Sequence, residues 1–127
     1  MIEIKLPLPK IKQKGKLINL SMNIYRNAYY RSLSQAKKDY NEIVGLILRP
    51  YRKEQYSQAK LTFTLYCKTK QRRDLTNFCT VVDKFVSDTL VDYDIVPDDD
   101  CKHIAEVSYK FGGYGEDAVV VKIEEVA

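Results

Sequence analysis

The chain has 127 residues, 45% hydrophobic and 30% charged, with five Gly and four Pro; this composition suits one globular domain over residues 1–127 and excludes disordered, collagen-like and mucin-like classes. No stretch approaches the roughly 18 apolar residues that span a bilayer, and Met1-Ile2-Glu3-Ile4-Lys5 lacks the basic start and apolar centre of a signal peptide, so a cytoplasmic protein without a membrane partner is expected. The net charge of +4 hides a division: residues 1–73 carry 17 Lys and Arg against four acids, an excess of +13, and residues 74–127 carry four Lys against 13 acids, an excess of −9.

Ile2-Glu3-Ile4-Lys5-Leu6 alternates with period two and ends at Pro7 and Pro9, which predicts a first strand. Lys10, Lys12, Lys14 and Lys16 then decorate residues 10–20, read as a basic loop or arm around Gly15. From Ser21 the chain is rich in Tyr and Arg, and it leads into a helix over about 33–48. Ser32 or Ser34 is the expected cap, and Ala36, Tyr40, Ile43, Val44 and Ile47 form the apolar face. Pro50 ends it. Ala59 to Cys67 alternates and is β-rich, a second strand. A helix over about 75–91 follows, with Phe78, Val81, Val82, Phe85, Val86 and Leu90 on its apolar face. After the acidic stretch Asp92 to Asp100, His103–Phe111 and Ala118–Val126 read as two strands joined as a hairpin at Gly112-Gly113-Tyr114-Gly115. The order is β-α-β-α-β-β, an α/β (α+β) pattern without internal repeats.

Cys67, Cys79 and Cys101 are odd in number and form no C-x-x-C pair, so reduced thiols are expected rather than a disulfide framework or zinc site. The chemistry lies in the acids. Asp74 stands where a strand gives way to a helix, and Asp98, Asp99 and Asp100 stand where that helix has returned the chain toward the next strand. The reading places both junctions at one end of the sheet. Carboxylates suit Mg²⁺, a hard ion that prefers oxygen ligands, and a nuclease pairs such an ion with cations that hold phosphates. An exposed loop or a helix cap would use the same Asp-Asp-Asp run. Lys84 lies seven residues after Asn77 and four before Asp88, so the three share nearly one helical face, either a solvated side or the wall of a site. Lys68, Lys70, Arg72 and Arg73 adjoin Asp74 as candidate phosphate contacts. Tyr25, Tyr29 and Tyr30 interleave with Arg26 and Arg31, a mixture suited to phosphates and to stacking on open bases, and equally to core packing. His103, the single histidine, reads as a strand residue.

Arg72-Arg73-Asp74-Leu75-Thr76-Asn77, followed by Lys84, Asp88-Thr89-Leu90 and Pro97-Asp98-Asp99, resembles the RusA family of Holliday junction resolvases. That family's pattern is a basic pair, Asp-Leu-Asp-Asn, a helix carrying a Lys and an Asp-Ala-Leu, and an Asp-Asp pair before the final strands. Pro7-Leu8-Pro9, and Asn23 ahead of Tyr25-Arg26, are similar with less specificity. The resemblance implies a homodimeric, Mg²⁺-dependent endonuclease, often phage-encoded, that cuts four-way DNA junctions by paired nicks in recombination and repair. It also implies one small mixed sheet packed with two helices.

Carried over, Asp74 and Asp99 become metal ligands, Asp98 an adjacent acid, and Lys84 the family's helix lysine displaced by one inserted turn. Asn77 and the cations Lys10, Lys12, Lys14, Lys16, Arg26, Arg31, Lys68, Lys70, Arg72 and Arg73 become DNA contacts. Mn²⁺ is the expected substitute for Mg²⁺, and no organic cofactor is expected. One departure stands out: Thr76 occupies the place of the family's second aspartate, a neutral and weaker ligand. Asp83, then Asp88 or Asp100, are the candidate replacements. The alternative is a branched-DNA-binding protein on the same scaffold whose nuclease activity is weak or lost; a small-molecule phosphohydrolase suits the basic half less well.

Overall fold

In the computed structural model, residues 1–68 and 74–126 are described. In chain order they form β1 (Ile2–Leu6), β2 (Lys10–Gln13), β3 (Lys16–Asn19), α1 (Met22–Asn27), α2 (Tyr30–Leu48), a 3₁₀ turn at Arg49–Tyr51, β4 (Ala59–Cys67), α3 (Leu75–Asp92), β5 (Ile104–Tyr114) and β6 (Ala118–Glu125). This is a mixed α+β fold: a four-stranded sheet in the order β1-β6-β4-β5, a separate two-stranded sheet of β2 and β3, and three α-helices. Among the described residues no helix is long and apolar enough to cross a membrane.

The alternation that marks β4 in the sequence is the alternation of burial. Leu61, Phe63 and Leu65 are buried while Thr62 and Thr64 between them are half-buried. The inward set continues into Ile2, Ile4 and Leu6 of β1 and Val119, Val121 and Ile123 of β6. Against this layer α3 sets Val81, Val82, Phe85, Val86 and Leu90, and α2 sets Ala36, Tyr40, Val44 and Leu48, all buried. Each Val, Leu or Phe among them removed from water contributes about 1.5–3 kcal/mol. Phe85 joins the helices, its ring 5.8 Å from that of Tyr40 and 6.4 Å from that of Tyr25.

The structure corrects several expectations. Residues 10–20 are not a loop or arm: Lys10–Gln13 and Lys16–Asn19 pair antiparallel, Ile11 opposite Ile18, and Ile11 is buried. Lys14 and Gly15 form the turn with φ of 50° and 78°, the doubly left-handed backbone of a type I′ hairpin, in which glycine carries no steric cost. Among the described residues the helices number three rather than two, because Ser21 caps the extra α1 by accepting the Ile24 N–H at 3.3 Å. Neither Ser32 nor Ser34 caps α2, whose N-cap is Tyr29 without a side-chain bond.

A further correction concerns the last two strands. They do not pair with each other, because β4 lies between them: Phe63 is opposite Tyr109 of β5 in a parallel ladder and opposite Val121 of β6 in an antiparallel one. Residues 115–117 step over the end of β4, where the Gly115 N–H donates to the Cys67 carbonyl at 2.9 Å. Two strand spacings amount to about 10 Å, a distance that a three-residue connection covers. The step depends on Gly112, where an added methyl would lie 2.5 Å from the Tyr66 ring and 2.7 Å from Thr64 Cγ2. At Gly115 nothing lies within 4 Å. Gly112→Ala is therefore expected to cost about 1–3 kcal/mol by overpacking, and Gly115→Ala no more than about 0.5 kcal/mol, as read from urea unfolding midpoints.

Candidate functional site

Helix α3 carries most of the candidate residues, and its first turn shows why Asp74 sits where it does. Asp74 is the N-cap: its Oδ1 accepts the N–H of Thr76 at 3.0 Å and of Asn77 at 3.3 Å, satisfying two amides that the helix leaves open. Both bonds fall on Oδ1, so Oδ2 points away from the cap, and the residue is exposed. Asn77 Oδ1 accepts the Asn23 N–H at 3.0 Å, tying the start of α1 to α3. Its first role is therefore an internal one, and the exposed Thr76 stands beside it.

The basic hairpin is joined to this same end of the sheet by a residue that sequence reasoning missed. Asp117 Oδ1 accepts the Lys68 N–H at 2.7 Å and its Oδ2 accepts from Asn19 Nδ2 at 3.3 Å, while Lys10 donates to Asn19. One carboxylate thus links β3 to the exit of β4, six residues before Asp74. Only its place just after the Gly112-Gly113-Tyr114-Gly115 turn, as Gly115-Glu116-Asp117, hinted at it. Lys12 and Lys14 border a small groove of about 180 Å³ with Asn27, Tyr29 and Ser32. Tyr29 and Tyr30 are 60% and 64% exposed, stacked edge to face at 5.1 Å, with the Arg31 guanidinium 5.8 Å above the Tyr30 ring. Hairpin lysines, aromatic faces and Arg31 thus adjoin where α1 meets α2, and Arg26 is exposed on α1. Lys70, Arg72 and Arg73 lie outside the described residues.

A cleft of about 500 Å³ runs along α3 and brings together Asp83, Lys84, Asp88 and Asp99 with Tyr25 and Lys37. The Lys84 ammonium lies 5.9 Å from the centre of the Tyr25 ring, a cation–π distance. Asp83 is already engaged: Ser87 donates to its Oδ1 at 2.9 Å and Tyr109 to its Oδ2 at 2.7 Å. Burial, then the bond to Asp83, pushes the Tyr109 phenol up, so it stays a donor and fastens β5 to α3. Asp88 pairs with Lys37 of α2 at 3.0 Å, and that hydrogen bond raises the Lys37 ammonium above its usual value. Lys37 is the second cation of the cleft. As one of two adjacent lysines on a polar helix face it gave no signal in the sequence.

The three consecutive aspartates divide their work. Asp98 Oδ1 accepts the N–H of Asp99 at 2.8 Å. Asp100 Oδ1 accepts the N–H groups of Lys102 and His103, both at 3.1 Å, and meets His103 Nδ1 at 2.7 Å, closing the turn ahead of β5. Asp99 carries no such tie among the described residues and lines the cleft. Cys67 and Cys79 are buried and free, and Cys101 is exposed and free.

The expectation that Asp74 and Asp98–Asp100 share one end of the sheet is corrected. Helix α3 starts after β4 has ended and returns the chain to the start of β4, where Ala59 N–H meets the His103 carbonyl at 2.8 Å. At 1.5 Å per residue, Asp88 lies about 21 Å along the axis from Asp74, and Asp83 about 14 Å. Asp99 shares its cleft with Asp83 and Asp88 and borders a second groove with Asp88, Asp92 and Asp98, so it belongs to the far end. A Mg²⁺ ion needs its oxygens at about 2.1 Å, and even a pair of ions spans only about 4 Å. Oxygen donors fit such an ion in kind, but Asp74 and Asp99 of one chain do not fit it in position. Among the described residues no three His, Cys, Asp or Glu side chains are placed to hold a metal.

No protein-family model matches the chain, and no curated protein matches it.

The Asp100 turn yields a pH dependence. The hydrogen bond from His103, the largest cause, holds the Asp100 carboxyl below its usual range. A depressed carboxyl stabilises the fold above its unfolded value, near pH 4, and that contribution is lost as pH falls through the folded value. Asp100→Ala is expected to be less stable than the parent at pH 6, with the difference shrinking as pH is taken below about 4, as read from unfolding midpoints along a pH series.

Proposed function

We propose that the protein is an endodeoxyribonuclease of the RusA type that uses Mg²⁺, or Mn²⁺ in its place, to resolve Holliday junctions or other branched DNA by paired nicks in recombination and repair. The observation that carries this reading is the shared end of the sheet: the lysine-bearing hairpin and Lys68 are held together there through Asp117, and α3 begins at that end with Asp74, its first turn tied to α1 by Asn77. Phosphates attract such a cluster without regard to sequence, and an acid beside it stands where a backbone would pass. The motif resemblance from Arg72 to Asp99 supplies the reaction class.

Within this reading the chain's own groups divide the work. Lys12, Lys14 and Lys16 hold the DNA backbone, and Arg31 with Tyr29 and Tyr30 offers faces on which the unpaired bases of a branch stack. Lys84, carried beside Tyr25, places a positive charge in the α3 cleft against a phosphate that enters it. A second reading, a branched-DNA-binding protein without cutting activity, draws on the neutral Thr76 and on the distance between Asp74 and Asp99.

Incubation with a labelled four-way junction and a matched linear duplex, with Mg²⁺ or with EDTA, separates the two readings on native and denaturing gels. Symmetric Mg²⁺-dependent nicks on the junction alone are expected. A shifted junction that is never nicked selects the second reading, and an unshifted junction removes both. Asp74→Asn is expected to abolish cleavage with binding largely kept, because Asn caps a helix about as well as Asp and the basic surface is untouched. Lys12 and Lys14 replaced together by Ala should weaken junction binding and reduce the slope of log K against log salt by about 2; an unchanged slope would remove the hairpin from the interface.

A further inference from the structure

Strand β5 is parallel to β4, and α3 is the return crossing between them, so α3 and β5 run in opposite senses. One bond fixes their register: Tyr109 donates to Asp83 Oδ2 at 2.7 Å. From there Asp74 lies about 14 Å back along α3 at 1.5 Å per residue, and Tyr114 lies about 16 Å forward along β5 at 3.3 Å per residue. Both displacements lead to the end at which β4 exits, where Phe111 is opposite Leu65 and Tyr114 opposite Cys67. Phe111 and Tyr114 are therefore level with Asp74 and the first turn of α3.

Paired residues of neighbouring strands share a face, so both rings stand on the helix side of the sheet. Leu65 and Cys67 are buried there, whereas Phe111 and Tyr114, on the outer strand, are 51% and 59% exposed. The rings meet edge to face with centroids 5.4 Å apart, a contact that steadies both without covering either. On each side of Tyr114 the backbone is bare, since a Cβ at Gly113 or Gly115 would meet nothing within 4 Å. The surroundings are basic. Lys68 follows Cys67, and Asp117 fastens the lysine-bearing hairpin to it. Of the acids in the same turn, Asp117 is engaged in those bonds and Glu116 faces Lys5 at 3.9 Å. Open aromatic faces in a positive field match a polymer of flat bases on charged links, which is single-stranded nucleic acid. We propose that Phe111 and Tyr114 form a platform on which unpaired bases of an open DNA branch stack beside Asp74, so that the protein selects branches with single-stranded character. The inference rests on the nuclease reading for the kind of polymer and names the part of it that is gripped. This platform is distinct from Tyr29 and Tyr30. The hairpin separates the two, its foot at Asn19 meeting Asp117 and its Lys12 and Lys14 bordering the Tyr29 groove.

Fluorescence anisotropy in EDTA reads the platform without turnover. The probes are an oligothymidine of about 12 nucleotides and an abasic oligomer of equal length, which keeps the phosphates and lacks the bases. The parent is expected to prefer the oligothymidine by at least about tenfold. Phe111→Leu combined with Tyr114→Leu keeps the edge apolar and removes both aromatic faces. That variant should lose about tenfold in oligothymidine affinity, with abasic binding and the salt slope unchanged because no cation is removed. Phe111→Tyr combined with Tyr114→Phe should bind as the parent does. An unchanged preference in the Leu pair places the stacking elsewhere, and an equal loss on both oligomers makes the change structural; either overturns the platform. A Leu pair that alters only self-association in sedimentation makes the strip a contact between copies and overturns it too. A parent that nicks junctions but does not prefer bases overturns the platform and leaves the nuclease reading standing. The full binding pattern in a parent that nicks no DNA supports the platform and overturns the nuclease reading.

Discussion

The position of β4 is the constraint on which the rest of this structure depends. With β6 antiparallel on one side and β5 parallel on the other, the chain has to leave β4 at one end and re-enter the sheet at the other. A parallel neighbour demands a crossover of a dozen residues or more, and α3 supplies it. The 18-residue helix spans about 27 Å at 1.5 Å per residue, the length of the sheet it crosses. Whatever the sequence places at the start and the end of α3 is thereby sent to opposite ends of the molecule. The distance between Asp74 and Asp99 follows from the topology and from no local feature of either residue.

The same arrangement sorts charge. At the first end, Asp117 binds the β3 side chain Asn19 and the Lys68 amide together, so the lysine-bearing hairpin is held against the exit of β4. Asp74 is electrostatically at ease there, since an acid at a helix N-terminus meets unpaired amides and the positive end of the dipole. At the far end the reverse holds. Asp88 and Asp92 close a helix whose last turn contains no basic residue, and Asp98 and Asp99 follow, where the dipole disfavours negative charge. Lys37 offsets part of this by pairing with Asp88. The helix terminus thus favours the Asp74 cap, whereas the acids at the far end sit against the local field and are offset by the Lys37 pair and by the amides that bond Asp98 and Asp100.

Much of this fold is legible in the sequence where one period dominates. The alternation through β4 and the three-and-four spacing from Phe78 to Leu90 give both elements to within a residue. The hairpin of β2 and β3 is harder to read because each arm has four residues and its turn is Lys-Gly rather than Asn-Gly, so the four lysines look like a solvated loop. The pairing of β5 with β6 is misread for a general reason. A short glycine-rich connection favours a hairpin locally, but β4 offers both strands a partner with every second side chain buried, and tertiary pairing wins. For the site, residue types and the helix face of Lys84 are visible in spacing, and their grouping is only half visible. Asp83, Lys84, Asp88 and Asp99 do meet, whereas Asp74 is separated from them by helix length, which periodicity reports and residue chemistry does not.

Helix α1 connects the two ends. Six residues are too few for a helix to persist alone in water, and none of them is fully buried. It is held by the Ser21 cap, by Asn77 accepting the Asn23 N–H, and by the Tyr25 ring lying against Phe85 and under Lys84. Two of these three holds belong to α3, one in its first turn beside Asp74 and one in the cleft beside Asp83. The short helix therefore bridges the separated acids along one side of α3, and its other end leads into Tyr29, Tyr30 and the groove beside the hairpin lysines. A ligand seated on Tyr29 and Lys12 would press on an element whose support lies in the cleft. The placement of Lys84 over Tyr25 thus depends on the same few contacts that hold the aromatic and basic surface in register.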